Sequence, residues 1–130
     1  MEMSRILIDT NIYSNALRGD ESVGFTLKKT TLIGISTISI GELLSGFKGG
    51  GKENRNRNEL DQFLDSPRVE VYAIDFETAD FYAQILNALR KNGTPIPTND
   101  IWIAATAFKN GLKLYTKDHH FSKIPGINLL

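Results

Sequence analysis

Short apolar runs alternate along the chain with longer stretches in which apolar positions recur every three or four residues. Arg5-Ile-Leu-Ile8 is an unbroken apolar run of the length that forms a buried strand. After the polar Asp9-Thr10-Asn11, a helical pattern runs through Ala16 and Leu17 and ends near Gly19, and a second helix covers Ser22 to Lys29. Leu32 to Thr37, rich in β-branched residues, reads as the next strand. Ser39-Ile-Gly-Glu42-Leu-Leu starts a helix that breaks at Gly49-Gly50-Gly51, and residues 58–64 form another that Pro67 ends. Val69 to Ile74 alternates apolar with polar, as a partly exposed strand does. A long helix opens at Asp75 or Thr78, carries Phe81, Ile85 and Leu89 at four-residue spacing, and closes at Asn92-Gly93. The stiff Thr94-Pro-Ile-Pro-Thr98 delivers the chain to a helix from Asp100 to Asn110, stopped by Gly111. Its stripe of Ile101, Ala104, Ala105 and Phe108 is small in the middle, which permits close packing. Leu112 to Thr116 is a strand, Lys117-Asp118-His119-His120 a short helical turn, and Ile127 to Leu130 a terminal strand.

Strands alternating with helices predict the α/β class: a three-layer α/β/α domain with a mainly parallel central sheet and right-handed crossovers. At 130 residues the chain supports one such domain, spanning 1–130, and not two.

Charge narrows the function. Fifteen basic residues balance fifteen acidic ones, so no global positive field holds nucleic acid, which counts against a protein whose whole job is binding DNA by charge. A local basic track is still available in Lys48, Lys52, Arg55 and Arg57, whose bland reading is a solvated loop and helix start. The absence of cysteine removes disulfides, thiolate zinc sites and thiol nucleophiles, and it fits a reducing cytosol. The opening Met1-Glu-Met-Ser-Arg5 lacks the long apolar stretch and small-residue cleavage site of a signal peptide, and no run reaches membrane-spanning length. The expected location is the cytoplasm, with no membrane partner.

Four acids carry the chemistry. Singly, each has a structural explanation. Asp9 suits a helix cap, Glu42 lies three residues after Ser39 at capping-box spacing, Asp100 belongs to a first helical turn that favours negative charge, and Asp118 suits the cap of a turn. Collectively they say more. In an open parallel sheet the strand ends and following helix starts share one edge, where ligands bind. Asp9 and Asp118 each follow a strand, while Glu42 and Asp100 are expected in first helical turns, so all four converge on one crevice. Four carboxylates together repel one another unless a cation joins them. Oxygen-only ligation selects magnesium, manganese or calcium, and magnesium keeps coordination positions open for a substrate phosphate. Phosphodiester hydrolysis is the natural reaction, with water attacking in line and no covalent enzyme intermediate.

The same residues carry a family resemblance. Ile6-Leu-Ile-Asp9-Thr10-Asn11 resembles the opening motif of PIN-domain nucleases, and Ile38-Ser-Ile-Gly-Glu42-Leu-Leu-Ser-Gly46 resembles the second. Asn99-Asp100-Ile-Trp-Ile-Ala-Ala105 resembles the third motif and Leu114-Tyr-Thr116-Lys-Asp118-His-His-Phe121 the fourth. The ending Phe121-Ser-Lys-Ile-Pro-Gly126-Ile is similar to the VapC toxin branch. Single motifs of this kind are weak, but four in order across nearly the whole chain are specific. The resemblance implies a Mg2+-dependent endoribonuclease in which Mn2+ substitutes, acting as the toxin of a toxin–antitoxin pair. It further implies a homodimer silenced by a small VapB-like antitoxin. Asp9, Glu42, Asp100 and Asp118 become the metal-site acids, Asp9 and Asp100 touching metal directly. Asn11 and Thr116, and more weakly Thr10, become polar supports. His119 and His120 read as exposed loop residues, and Trp102 as core packing.

Rivals fare less well. An aspartyl-phosphate phosphatase needs a second acid two residues after the first, where this chain has Asn11. A signalling receiver needs paired acids after the first strand, and only Asp9 stands there. A non-cutting PIN-like RNA- or protein-binding module would not need a full acid set, and a non-toxin RNA-processing nuclease would use the same one.

Overall fold

A computed structural model describes residues 4–130; Met1 to Met3, on which part of the signal-peptide expectation rests, lie outside the described residues. The elements in chain order are β1 (Arg5–Ile8), α1 (Thr10–Leu17), α2 (Glu21–Lys29), β2 (Leu32–Ser36), α3 (Thr37–Lys48), α4 (Glu53–Leu64), β3 (Val69–Tyr72), α5 (Phe76–Asn92), α6 (Thr98–Asn110), β4 (Lys113–Tyr115) and a 3-10 turn (His119–Lys123). The four strands are all parallel, in the order β3-β2-β1-β4. Parallel neighbours need crossovers, and the helices supply them.

The unbroken apolar run of β1 follows from its place in the middle of the sheet. Leu7 points to one face, into a core with Ile85, Leu89, Ile101 and Leu114 from α5, α6 and β4. Ile6 and Ile8 point to the other, against Ile12, Val23, Leu43 and Leu60 from α1 to α4. With both faces covered there is no solvent side on which to place polar residues. The result is the expected three-layer α/β/α architecture. Ala104 and Ala105 on α6 are fully buried, as close packing of that helix requires. Gly34 in β2 leaves room for the Tyr72 ring on β3, since an added Cβ would lie 2.7 Å from that ring and force it to shift.

Several segments differ from the sequence reading, among them α4, which begins at Glu53 and not at residue 58. The last residues, 127–130, form no strand; a single bridge joins Leu129 to Leu114, with the Leu114 N–H donating to Asn128 O at 2.8 Å and the Leu130 N–H to Leu114 O at 3.0 Å. Helix α3 starts at Thr37, capped by the Ser36 side chain, and not near Ser39. Ser39 is buried inside the helix, so no capping box joins it to Glu42. No helix among the described residues is long and apolar enough to cross a membrane.

Candidate functional site

Asp9 follows β1 directly and caps α1, its Oδ1 accepting the Ile12 N–H at 2.9 Å. The ladder between β1 and β4 continues for one more bond, from the Asp9 N–H to Tyr115 O at 3.3 Å, which sets Asp9 beside the end of β4. There the Thr116 hydroxyl donates to Asp9 Oδ2 at 2.5 Å while accepting the Asp118 N–H at 2.9 Å. Both carboxylate oxygens of Asp9 are thus occupied by protein donors, and the residue is only 4% exposed. Capping and site formation are not alternatives here, because each uses a different oxygen.

Asp118 caps the 3-10 turn, its Oδ1 accepting the His120 N–H at 2.9 Å. The turn brings the His120 imidazole back toward the acids: Nδ1 lies 3.3 Å from Asp118 Oδ1 and 3.2 Å from Asp100 Oδ2. Asp100 comes from the first turn of α6, as expected. Glu42 sits in the second turn of α3, not the first, because the helix begins earlier than its sequence suggests. Two side chains hold it instead of the helix N-terminus. Thr10 Oγ1 donates to Glu42 Oε1 at 2.6 Å, and Asn99 Nδ2 donates to Oε2 at 3.4 Å.

These contacts link all four acids. One path runs from Asp9 through Thr116 to Asp118 and on through His120 to Asp100. The other joins Thr10, the neighbour of Asp9, through Glu42 to Asn99, the neighbour of Asp100. Exposure grades across the group, from buried Asp9 through half-buried Asp100 and Asp118 to exposed Glu42. An open groove of about 580 Å3 adjoins the exposed end, lined by Thr37, Gly41, Glu42, Ser45 and Asn99.

Electrostatics set the character of the crevice. Burial pushes the Asp9 carboxyl above the usual range, against the lowering effect of its Thr116 and Ile12 hydrogen bonds, and the charges of Asp118 and Glu42 push the same way. Asp100 is also raised, first by burial, with His120 opposing and Asp118 and Glu42 adding repulsion. Such a crevice resists holding all of its negative charge. A divalent cation would supply positive charge here, and the donors Asp100, Asp118 and His120 all lie within 4.8 Å of one another. The donor set therefore fits a hard or borderline divalent ion.

The remaining sequence-nominated residues fall outside this group. Asn11 is exposed on α1 and, among the described residues, bonds to none of the four acids. Of the basic track, Lys48 pairs with Glu53 at 3.1 Å, Arg55 with Glu59 at 3.2 Å and Arg57 with Asp61 at 3.3 Å. These are exposed pairs along the start of α4, and neither they nor Lys52 bond to the acid cluster. Trp102 stacks on Tyr82 with ring centroids 3.9 Å apart, as a packing residue does.

The sequence reading of His120 as an exposed loop residue is corrected here, since the ring is half-buried against Asp100, and Asn99 had no role of its own in that reading. The signal for His120 was present in the Asp118-x-His120 spacing. An Asp that caps the N–H two residues on folds the turn tightly enough to return that residue's side chain to the carboxylate.

Comparison with known proteins adds an independent line. A family model described as PIN domain matches residues 6–127. The chain is 25% identical over 134 residues to Ribonuclease VapC4 of Mycobacterium tuberculosis, across 100% of this chain and 98% of the relative. It is 33% identical over 101 residues to the tRNA(fMet)-specific endonuclease VapC of Salmonella typhimurium, across 77% of this chain and 75% of the relative. Its fold matches a chain in the crystal structure of VapBC2 from Rickettsia felis bound to a DNA fragment from their promoter. That match has a TM-score of 0.86 and 28% identity and covers 96% of both chains.

Proposed function

This chain belongs to the PIN-domain family, in its VapC branch, and on that premise we propose that it is a metal-dependent endoribonuclease, the toxin of a VapBC-type pair. The observation that carries the reading is the set of polar contacts tying Asp9, Glu42, Asp100 and Asp118 into one crevice. Names given to the relatives, ribonuclease and tRNA endonuclease, support RNA as the substrate.

A bound Mg2+, or Mn2+ in its place, supplies positive charge for the scissile phosphate and lowers the pKa of water. Asp9 and Asp100 are the proposed direct holders of the ion. Burial pushes both carboxyls above the usual range, so a cation beside them stabilises their charged forms. Thr116 keeps Asp9 in one orientation. Glu42, nearer solvent, is placed to orient the attacking water and take its proton, and Asp118 stands close enough to Asp100 to share in holding the ion. Thr10 and Asn99 fix Glu42 for that role. The RNA strand would run along the groove beside Glu42, whose floor of Gly41 and Ser45 leaves room for a backbone. Partners proposed with this reading are a small VapB-like antitoxin, as in the VapBC complexes of similar fold, and a second copy of the chain. The proposed compartment is the cytoplasm, and the proposed domain is the whole of residues 1–130.

The test uses purified protein freed of any antitoxin and total cellular RNA. Discrete fragments are expected with Mg2+ or Mn2+, and none with EDTA or with Asp100→Asn. Cleavage that persists in EDTA, or no cleavage with either metal by folded protein, would overturn the proposal.

A further inference from the structure

We propose that the His120 imidazole is a direct nitrogen ligand of the divalent ion, making the centre a mixed oxygen–nitrogen site selective for Mn2+ over Mg2+. The proposal rests on the metal-dependent reading above. It revises the all-oxygen ligation that the four acids suggest by themselves.

Geometry carries the argument. Nδ1 of His120 lies 3.2 Å from Asp100 Oδ2 and 3.3 Å from Asp118 Oδ1. Metal–donor bonds of about 2.1 Å meeting at right angles place neighbouring ligand atoms about 3 Å apart. The nitrogen is therefore spaced from each oxygen as an adjacent ligand of one small cation is, and the three donors lie within 4.8 Å of one another. Nδ1 is hydrogen-bonded to Asp100 Oδ2 at 3.2 Å, and that bond accounts for only one of its two carboxylate neighbours. A ring N–H points along one direction and serves one acceptor well, whereas here two carboxylate oxygens from different elements flank the same nitrogen. A cation between the three satisfies all of them.

Local structure holds the ring in that position. The Asp118 side chain ties the His120 N–H into the turn at 2.9 Å. Phe121, the next residue, is fully buried and anchors the turn from beneath. His119, one residue earlier, is exposed. The two neighbouring histidines thus have opposite environments, which makes each a control for the other.

Imidazole is a softer donor than carboxylate or water, so one nitrogen ligand shifts a site away from Mg2+ toward transition ions. The test is pulsed electron paramagnetic resonance on the Mn2+-loaded protein, reading the 14N coupling that a directly bound imidazole imposes. The chain has only two histidines, so the assignment is unambiguous. Wild type and His119→Gln are expected to show the coupling, and His120→Gln to bind Mn2+ without it. Calorimetry is expected to show the Mn2+ to Mg2+ affinity ratio falling by about tenfold in His120→Gln. Mn2+ bound by wild type with no 14N coupling overturns the nitrogen ligand and leaves the carboxylate site standing. No Mn2+ binding by folded wild type overturns both this proposal and the metal-dependent reading. The wild-type spectrum decides the matter even if a variant fails to fold.

Discussion

Thr116 and Asp9, 107 positions apart in the chain, share a 2.5 Å hydrogen bond that locks the deepest carboxylate of the crevice onto the strand beside it. Removing the hydroxyl with Thr116→Val leaves a buried carboxylate oxygen without its donor, at a cost of about 1–3 kcal/mol. Polar groups that orient metal-site acids typically govern about 10–100-fold in metal affinity or activity. RNA cleavage by Thr116→Val is expected to fall by that factor, with its far-ultraviolet circular dichroism unchanged. Full activity in this variant would show that Asp9 needs no such tether.

The raised carboxyls of Asp9 and Asp100 make metal removal a stability experiment. A carboxyl whose folded-state pKa exceeds its unfolded value favours the fold most at low pH, and that contribution is lost as pH rises through the folded value. At neutral pH the metal-free crevice is therefore a net strain on the fold, and a bound cation relieves it. Mn2+ or Mg2+ at about 100 times its Kd is expected to add about 2.7 kcal/mol, read as a rise in Tm. Asp9→Asn is expected to lose that gain while equalling or exceeding wild type in EDTA. A metal-induced rise of equal size in both proteins would count against Asp9 as a ligand.

Two other acids act in the opposite sense. Lys109 at 2.8 Å and the cap of α5 hold Asp75 well below the usual carboxylate range. Bonds from Val23, Ser22 and Lys117 bring Asp20 down to about 2. Depressed carboxyls stabilise above their unfolded value, and the contribution disappears as pH falls through the folded one. Acid unfolding is expected to steepen as pH drops from about 4 toward about 2. Asp75→Asn is expected to flatten the profile of Tm against pH in that window, and an unchanged slope would remove Asp75 from the account.

Phe121 ties the turn bearing Asp118 and His120 to the core under α6, and it is fully buried. Truncation to Ala is expected to cost about 3–5 kcal/mol in urea unfolding. Phe121→Leu retains most of the volume and is expected to cost less, yet still to lower cleavage because the turn it seats carries two site residues. Wild-type cleavage by Phe121→Leu would show that the turn holds its shape without the ring.

Much of this was legible in the sequence. Ile6-Leu-Ile8 could only be a doubly buried strand, and an acid directly after it had to emerge at the sheet edge. Asp100 was readable from its place just inside a helix, and Asp118 from the strand before it. What stayed hidden depends on contacts between distant segments. Ser36 and Ser39 are equally good caps on paper. The register of β2 against β3 carries the strand to Ser36 itself, so the first serine wins and Glu42 moves to the second turn. Asn99 and His120 are ordinary surface residues until α6 and the turn are docked beside α3. The paired arginines of α4 show the converse: a basic run in sequence whose charges are already met by acids four residues on.

An enzyme that attacks RNA is made on a ribosome, and the strand order β3-β2-β1-β4 bears on that hazard. β1 and β2 can pair while synthesis is still under way, but the neighbour that completes the crevice is β4, more than a hundred residues behind β1. Until it and the turn after it have left the exit tunnel, Asp9 has no Thr116 and Asp100 has no Asp118 or His120. The acids are thus brought together only by the last strand to join the sheet, so the crevice is a product of the whole sheet and not of its first two strands.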